Sequence, residues 1–547
     1  MIKKQWRSTR IVSKSVLLLL LLVLLGLFFC PRINLATADL GRHIKNGGIS
    51  LLNHALIDTN YYSYTEPDYK VINHHWGSGI VFYFIWLWAG FKGLAIFFAI
   101  IFLITFLLFF FLAAALSNFS WAYIFAVLSV PVVIARTEIR PEIFSYLLLG
   151  IFLNILYFYH AGKIRNYWLG VLFLLQVLWV NLHIFFILGP ILVVIFMADA
   201  WFNFKEKYLR TYIVLFIALA LACLINPWGI EGALVPFTIF KQYGYMLAEN
   251  QSVIFMQKRF LQQPIYWHFE FIFFFMMVGL GLNIKKIRQE KFIWIILIMG
   301  LFSALAWKAI RGLSLYGLVF IPLTAFFYHN WCKDKTAQWI NILKRGILIV
   351  SCVIVVWGLV GRGNHYSPYK MLQLPITMPE IKNEKFWLAY VLKHPNELIG
   401  LMPAVNKSAD FFKEKNLEGP IFNNYDLGGY LIYHLFPQEK VFVDNRPEAY
   451  SVSFFKNIYI PMQENEAIWQ QMLERYQFNA IYFYWHDMTP WGQKFLIERI
   501  NDPTWAPIFA DSYNIIFIKR NQENQAIINH YELPKSMFKT TSNKGGG

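Results

Sequence analysis

Long apolar runs alternate with short polar segments along the first two thirds of the chain. Apolar runs of about 17 to 25 residues are typical of helices that cross a lipid bilayer, and several runs here are near the short end of that range. We therefore expect about eleven membrane-spanning helices. The runs lie near residues 16–31, 93–117, 120–135, 142–161, 166–182, 184–202, 209–226, 267–283, 291–308, 312–330 and 346–361.

The segment "GSGIVFYFIWLWAG", residues 77–90, fits either a short spanning helix or an amphipathic helix at the membrane interface. Basic clusters decide between these, because cytoplasmic loops carry an excess of Lys and Arg. If the segment does not span, the cytoplasmic side receives "KKQWRSTR", "GKIRN", "KEKYLR", "KKIRQEK" and "KDKTAQWINILKR". A spanning segment would move most of these clusters outside. We therefore predict an interfacial segment and a cytoplasmic N-terminus.

Beyond residue 361 the composition becomes that of a soluble domain. Strand-like runs such as "GPIFNN", "KVFVDN", "NAIYFYW" and "NIIFIKR" alternate with helical stretches such as "EAIWQQMLERY" and "GQKFLIERI". The predicted fold class is a polytopic α-helical membrane protein with a C-terminal extracytoplasmic α/β domain. The predicted domains are 1–361, with a long first outer loop at about 32–92, and 362–547.

Composition excludes several functional classes. Hydrophobic residues make up 57% of the 547 positions and charged residues only 15%, as expected for an integral membrane protein. The net charge of +17 is clustered between apolar runs, so it indicates orientation in the membrane and no nucleic-acid partner. The four cysteines have neither disulfide nor zinc spacing, and no nucleotide-binding motif occurs.

The first outer loop carries the leading candidate for catalysis. Asp39, in "TADLGRHIKNGG", has the chemistry of a general base or a cation ligand, although a helix N-cap is an equally simple role. His43 follows in the same motif as a substrate-binding candidate. His74 and His75 in "INHHWGSG" could bind a sugar, a phosphate or a metal, or could belong to an interfacial aromatic anchor.

Charged residues also lie at several outer helix ends. Arginine makes bidentate bonds to phosphate oxygens, so these residues could bind an anionic substrate. Internal ion pairs and snorkelling are the alternatives. His183 and Asn226 could instead cap or pack helices. The candidates are Arg136, Glu138, Arg140 and Glu142 in "ARTEIRPE", Lys308 and Arg311 in "WKAIRG", and His183 in "NLH".

Two motifs of the C-terminal domain carry further polar residues. "FNNYDLGGYLIY" contains Asp426, and "VFVDNRPEAY" contains Asp444, Arg446 and Glu448. Tight turns select Asn, Asp and Gly, so turn formation explains much of this composition. We keep Asp426, Asp444 and Arg446 as candidate site residues.

The order of these features resembles the GT-C superfamily of membrane glycosyltransferases, and most closely its poorly characterised bacterial members. The resemblance rests on a basic N-terminus, one helix, a long acidic outer loop, many helices and an outer C-terminal domain. The motifs that carry it are "DLGRHIKNG", "IDTNYYSYT", "HHW", "IRPEIFSYLL", "NLH", "INPWG", "NYDLGGYLIY" and "VFVDNRPEAY".

This resemblance implies an enzyme that transfers a sugar from a polyprenyl-phosphate donor to a glycan, lipid or protein acceptor at the outer face of a bacterial inner membrane. It implies that Asp39 is the catalytic or metal-holding acid. Many members carry two acids close together, whereas Asp39 is flanked by Ala38 and Leu40. Asp58 is therefore the next candidate for a second acid, and a requirement for a divalent cation, Mg or Mn, stays open.

Two other classes of function are compatible with the same pattern. A transporter or flippase of lipid-linked saccharides would have a similar number of helices, but inverted repeats and broken helices are its usual signs. A non-catalytic envelope scaffold would use the C-terminal domain as a binding module. The charged outer helix ends favour the transferase.

Overall fold

The computed structural model describes residues 2–30, 32–239, 243–333, 335–360, 370–374 and 399–541. Its internal packing divides the chain into two compact units. Unit 1 comprises Met1–Pro31, Ile96–Ala233 and Leu247–His365, and unit 2 comprises Arg32–Ala95, Leu234–Met246 and Tyr366–Gly547. The first outer loop thus belongs with the C-terminal domain. The predicted boundary at residue 361 lies outside the described residues.

Unit 1 is helical throughout its described part. Helix Leu313–Cys332 is buried along almost its whole length and packs against Phe119–Val133, Pro264–Leu282 and Ile293–Lys308. Helices Trp76–Leu116 and Gly229–Thr238 run across the division between the units. The other helices are Ile2–Phe29, Glu142–His160, Trp168–Leu182, Leu188–Phe202, Glu206–Ala222, Val253–Arg259, Ile284–Glu290 and Ala337–Val360, with 3₁₀ turns Ile184–Ile187, Ala248–Asn250 and Ile310–Gly312.

The chain is a multi-pass membrane protein. Each predicted apolar run falls largely on a helix, because apolar side chains along a run of this length favour a fully hydrogen-bonded backbone in lipid. Among the described residues, 5 helices are long and apolar enough to span: Trp76–Leu116, Glu142–His160, Ile184–Phe202, Pro264–Leu282 and Ile310–Cys332. The shorter apolar helices leave the total of about eleven spans as a prediction.

The ambiguous segment 77–90 forms a helix of its own. Gly90 has φ 59° and ψ −159°, which interrupts helical geometry within Trp76–Leu116. Only glycine adopts such a conformation readily. Before this break the helix exposes Phe84, Leu87 and Trp88 while it buries Phe82. An apolar exposed face suits the predicted interfacial position, which stays a prediction.

Unit 2 is built around a mixed four-stranded sheet. Its strands are β4, Ile421–Asn423; β5, Ala480–Tyr484; β6, Trp505–Ala510; and β7, Asn514–Lys519. The order is β4-β5-β7-β6, in which only β4 and β5 are parallel. Its helices are Leu40–Leu52, Lys407–Glu414, Gly428–Leu435, Pro461–Glu464, Glu466–Tyr476, Pro490–Asn501 and Gln525–Tyr531, with 3₁₀ turns Tyr425–Leu427, Pro447–Ala449 and Lys535–Met537 and a π-helix Phe454–Tyr459.

Short strand pairs complete unit 2. β1, Arg32–Ile33, pairs in parallel with β3, Gly400–Leu401, at the start of the first outer loop. β2, Met371–Gln373, pairs antiparallel with β8, Lys539–Thr541. An isolated bridge between Ser63 and Val441 joins the same loop to the C-terminal domain. The loop is therefore tied to this domain by backbone bonds at two separate points.

Most predicted elements of the C-terminal domain are confirmed, but one strand is wrong. In "KVFVDN" only Val441 forms a backbone bridge, to Ser63. The next residues bond the side chain of Asn423: Asn423 Nδ2 donates to Val443 O, and Phe442 N donates to Asn423 Oδ1. Strand β6 was missed because "WAPIFA" contains Pro507, which interrupts the alternating pattern and lies at a register shift against β7.

Gly47 is placed where two helices of the first outer loop meet most closely. A Cβ atom at this position would lie 2.1 Å from Gly79 O and 2.5 Å from Gly79 C, which are backbone atoms. We expect Gly47→Ala to destabilise the protein by about 1–3 kcal/mol, because the helices must separate. Thermal unfolding in detergent measures the effect. Gly170→Ala, where nothing lies within 4 Å of the added atom, is the matched control and should be neutral or stabilising.

Asp511 makes the stability of the C-terminal domain depend on pH. Burial raises the pKa of this carboxyl from 3.8 to about 6, against the bonds that it accepts from Asn514 N and Tyr513 N. The contribution of protonated Asp511 to the free energy of unfolding is fully present below pH about 4, and it is lost as the pH rises through about 6. We expect Asp511→Asn to raise the unfolding midpoint more at pH 8 than at pH 4, since Asn keeps the acceptor oxygen. An equal change at both pH values would contradict this.

Candidate functional site

Asp39 lies in unit 2, at the N-cap position of helix Leu40–Leu52. Its backbone is helical, with φ −64° and ψ −13°, and its carboxylate accepts no bond from a backbone N–H of this described helix. Instead, Asp39 Oδ1 accepts a hydrogen bond from Asn445 Nδ2 of the C-terminal domain. The capping role is therefore not the one that the structure gives this side chain.

Asn445 also contacts the next turn of the same helix. Arg42 Nε donates to Asn445 Oδ1 at 3.1 Å, and Arg42 is buried. The amide of Asn445 therefore lies between a guanidinium group and a carboxylate, with its oxygen towards the cation and its nitrogen towards the anion. This arrangement uses both ends of the amide in the way that their hydrogen-bonding chemistry requires.

The motif "VFVDNRPEAY" attaches the first outer loop to the C-terminal domain. Asp444 and Arg446 form a bidentate ion pair, with Nε to Oδ1 at 2.8 Å and Nη2 to Oδ2 at 2.6 Å, and both are buried. Arg446 Nη2 also donates to Asn60 Oδ1 at 3.0 Å. The guanidinium carbon lies 5.4 Å from the centre of the Tyr62 ring. These contacts give Asp444 and Arg446 an anchoring role.

Two further ionisable groups lie near Asp39. Burial raises the pKa of the Tyr425 phenol well above its ordinary value, and the carboxyl groups of Glu448 and Asp39 raise it further. Burial also raises the pKa of Glu448, which Arg42 and Arg446 partly counteract. Tyr425 is therefore a neutral phenol at physiological pH. Asp426, its neighbour in the same 3₁₀ turn, is half-buried.

The three candidate histidines of the first outer loop are brought together. The rings of His74 and His75 are 3.9 Å apart between centroids, and His43 meets His75 edge-on at 5.5 Å. His43 and His74 are buried, and His74 Nδ1 lies 3.2 Å from Ile72 O. The ring of Phe82 packs edge-on against His43 at 6.2 Å. The cluster therefore contributes packing within the loop.

The predicted divalent cation can be compared with the side chains that the structure describes. Among the described residues, no group of three or more His, Cys, Asp or Glu side chains is arranged to hold a metal. Asp58, the candidate for a second acid, is exposed. Hard cations such as Mg²⁺ are bound by several oxygen ligands.

In unit 1, the predicted arginines meet at one carboxylate. Glu249 Oε2 lies 2.9 Å from Arg136 Nη2 and 2.8 Å from Arg140 Nη1, while Glu249 Oε1 lies 3.8 Å from Arg311 Nη1. Arg136 Nε also pairs with Glu142 at 2.5 Å. We call Arg136, Arg140, Arg311 and Glu249 the arginine cluster.

The arginine cluster controls the ionisation of Glu249. Burial alone would raise the pKa of this carboxyl, but Arg136, Arg140 and Arg311 outweigh burial and hold the pKa well below its ordinary value. Glu249 is consequently an anion at every physiological pH. Internal ion pairing, one of the two alternatives for these arginines, is present in the structure. Glu138, 62% exposed, pairs with Arg140 at the edge of the cluster.

Arg311 is less fully paired than the other two arginines. Its nearest carboxylate contact is 3.8 Å, Nη1 donates to Asn250 Oδ1 at 3.1 Å, and the ring of Phe185 lies 5.5 Å away. Its Nε is buried and has no hydrogen-bond acceptor in the described part of the chain. A buried guanidinium donor without an acceptor is costly unless a further anion is bound.

The remaining candidates lie apart from the cluster. His183 caps the 3₁₀ turn Ile184–Ile187 through Phe185 N, and its Nδ1 lies 2.8 Å from Ser145 Oγ. Asn226 Oδ1 accepts from Trp228 N within its own turn. Lys308 is exposed at the end of helix Ile293–Lys308. The structure therefore gives His183 and Asn226 local structural contacts.

Sequence reasoning missed Arg42, Asn445 and Glu249. Arg42 lies in the quoted Asp39 motif, three positions along the helix, where side chains share a face. Asn445 lies between two residues that were selected, Asp444 and Arg446, but its polar side chain was attributed to a turn. Glu249, in "LAENQS", had no pattern of its own; only the positive charge of the arginines at apolar helix ends indicated the need for a carboxylate.

The sequence matches no protein-family model and no curated protein sequence. The fold, however, is similar to that of solved membrane enzymes. The archaeal oligosaccharyltransferase AglB from Archaeoglobus fulgidus, in complex with an inhibitory peptide and a dolichol-phosphate, aligns with a TM-score of 0.55 at 11% identity over 93% of this chain and 74% of that chain.

Two further structures of the Archaeoglobus fulgidus oligosaccharyltransferase align in the same way. One is tethered to an acceptor peptide containing the NVT sequon via a disulfide bond, with a TM-score of 0.53 and 12% identity over 92% of this chain and 74% of that chain. The other is a complex with Zn and sulfate, with a TM-score of 0.50 and 13% identity over 90% and 72%. The chain thus shares its fold with these oligosaccharyltransferase structures, at 11–13% sequence identity.

Proposed function

We propose that the protein is a glycosyltransferase that transfers a sugar from a polyprenyl-phosphate-linked donor to an acceptor at the outer face of a bacterial cytoplasmic membrane. The N-terminus would be cytoplasmic, and the C-terminal domain would be extracytoplasmic. Membrane lipids would surround the helices. The acceptor would be a glycan, a lipid or a protein, and no nucleic acid takes part.

The observation that carries this proposal is the arginine cluster, in a chain that has the fold of an oligosaccharyltransferase. Three guanidinium groups surround Glu249, and Arg311 keeps a buried Nε without an acceptor among the described residues. The planar fork of arginine matches the geometry of phosphate oxygens. The phosphate of a lipid-linked donor would supply the acceptor that Arg311 lacks, with Glu249 holding the neighbouring arginines in place.

The proposed reaction is a displacement at the anomeric carbon of the sugar. The acceptor oxygen or nitrogen forms a bond to this carbon while the bond from the carbon to the phosphate oxygen breaks. The electron pair of the broken bond leaves with the polyprenyl phosphate, whose added negative charge is stabilised by the arginines. Attack opposite to the leaving oxygen inverts the anomeric configuration. We therefore propose an inverting enzyme.

Asp39 would act as the general base. Its carboxylate takes the proton that the acceptor loses on attack, which makes the acceptor a stronger nucleophile. The half-buried position beside Tyr425 and Glu448 limits the access of water. The resemblance to the superfamily and the Zn complex of one similar structure suggest a divalent cation. Among the described residues, no group of three or more His, Cys, Asp or Glu side chains is arranged to hold one. We therefore assign no step to it.

The test uses purified protein in lipid nanodiscs, incubated with a panel of polyprenyl-phosphate sugars. The acceptor panel includes glycans, lipids and a peptide with an Asn-Val-Thr sequence, because one related enzyme was solved with such a peptide. The expected result is release of polyprenyl phosphate together with a glycosylated acceptor. Movement of intact donor between leaflets without consumption would indicate a flippase instead. No change in the donor at all would favour a scaffold.

A further inference from the structure

We propose that Asn445 is the positioning residue for Asp39, with Arg42 fixing the orientation of the Asn445 amide. The inference rests on the proposed role of Asp39 as the general base. It adds to that role a residue of the C-terminal domain, 406 positions away along the chain. It also accounts for the motif "VFVDNRPEAY" at the point where this motif contacts the first outer loop.

The direction of the amide follows from chemistry. An arginine Nε–H can only donate a hydrogen bond, so the atom of Asn445 that faces Arg42 at 3.1 Å must be the oxygen. The amide nitrogen consequently faces the other way, and it donates to Asp39 Oδ1. Without Arg42 the two ends of the amide could exchange places, and an oxygen would then oppose the carboxylate. Arg42 therefore acts on Asp39 through Asn445.

The backbone around Asn445 leaves little freedom for its side chain. A Cβ atom at Gly429 would lie 3.1 Å from Asn445 Nδ2 and 3.2 Å from Ala38 O, so glycine is what allows the amide and the first outer loop to approach. The preceding residue, Asp444, is held by the bidentate pair with Arg446. The amide therefore reaches Asp39 from a rigid support, as a positioning group requires.

This bond has two consequences for a base. It keeps the carboxylate in one orientation, fixed from the C-terminal domain. It also favours the ionised form, because the amide donates to the charged state. The other charged or titratable groups near this pair are Arg42, which bonds Asn445, Glu448 and the neutral phenol of Tyr425. Loss of the Asn445 amide should therefore make Asp39 easier to protonate.

The experiment compares Asn445→Ala with Asn60→Ala in nanodiscs. Asn60 is the matched control, because it also joins the first outer loop to the C-terminal domain but accepts its bond from Arg446. We expect Asn445→Ala to lower kcat by about 10- to 100-fold, which is the range for groups that orient a reacting side chain through a hydrogen bond. KM for the donor should change little. The acidic limb of the pH–rate profile should move to higher pH.

Asn60→Ala should leave the acidic limb in place, and Arg42→Gln should move it in the same direction as Asn445→Ala by a smaller amount. Equal effects of Asn445→Ala and Asn60→Ala would overturn the inference, since both would then act by loosening the loop. A lower rate with an unmoved acidic limb would overturn it too.

A second measurement separates this inference from the proposed function. The unfolding midpoints of Asp39→Ala, Asn445→Ala and the double variant form a mutant cycle that needs no substrate, and each single variant removes the bond between the two side chains. Because the side chains are in contact, we expect the two shifts to fail to add. If the wild-type protein transfers no sugar, the proposed function fails. The cycle still tests whether Asn445 and Asp39 interact. Additive shifts would overturn the positioning role, whatever the activity.

Discussion

Asp39→Asn is expected to lower the rate of sugar transfer by about 10² to 10⁴-fold, the contribution of a positioned general base. An amide cannot take a proton from the acceptor, so each turnover would depend on water. The change keeps the shape of the side chain and its Oδ1, which can still accept the bond from Asn445 Nδ2. The unfolding midpoint should therefore change little, and the rate loss can be attributed to chemistry.

The measurement is the release of polyprenyl phosphate under single-turnover conditions, with donor binding followed separately. Asp58→Asn is the matched control, because Asp58 lies in the same loop but is exposed. Its rate should remain within about twofold of wild type, as for a surface change remote from the chemistry. If Asp39→Asn kept the wild-type rate, Asp39 would have no role as the base. If Asp58→Asn lost as much activity as Asp39→Asn, the assignment of the acid would move to Asp58.

Arg311→Gln is expected to lower transfer by about 10² to 10³-fold, the effect of removing one preorganised donor to a developing negative charge. We choose Arg311 because its nearest carboxylate contact in the cluster is 3.8 Å, whereas Arg136 lies 2.5 Å from Glu142. Removal of Arg136 would leave buried carboxylates without a partner and endanger folding. Arg311→Gln leaves Glu249 paired with Arg136 and Arg140.

The loss should appear as weaker binding of polyprenyl phosphate as well as a lower rate, because the product carries the same phosphate. Arg345→Gln removes an exposed arginine from helix Ala337–Val360 and serves as the control for charge alone. Lys308→Gln tests the other predicted cation at the same helix end. Full activity of Arg311→Gln would contradict the phosphate assignment. A loss in Lys308→Gln that matched Arg311→Gln would extend the site to the exposed lysine.

The positions of the helices could be predicted from the sequence because apolar length is a local property. Residues 142–161 and 312–330, for example, correspond closely to helices Glu142–His160 and Leu313–Cys332. In the C-terminal domain "EAIWQQMLERY" coincides with helix Glu466–Tyr476, for which Asn465 caps the first turn. Strand β6 was not predicted, because Pro507 interrupts its alternating pattern. "KVFVDN" was predicted as a strand but forms only a single bridge at Val441, because the Asn423 side chain bonds the residues that follow.

The candidate site was predictable only in part. The charge of Arg136, Arg140 and Arg311 at apolar helix ends signals a buried partner, since lipid does not solvate ions. The partner, Glu249, lies 113 positions from Arg136, and no local pattern indicates it. Similarly, Asp39 was identifiable from its motif, but the residues that hold it were not.

By itself, the sequence determined the class of the protein, its division into apolar and soluble parts, and the acid and the arginines that chemistry makes candidates. Such properties depend on composition and on residues within a few turns of one another. Only the tertiary structure decided that Asn445 stands between Arg42 and Asp39, that Glu249 joins three arginines, and that the first outer loop packs with the C-terminal domain. Hydrogen bonds and ion pairs have ranges of a few ångströms, so which distant residues they join is settled only when the chain has folded.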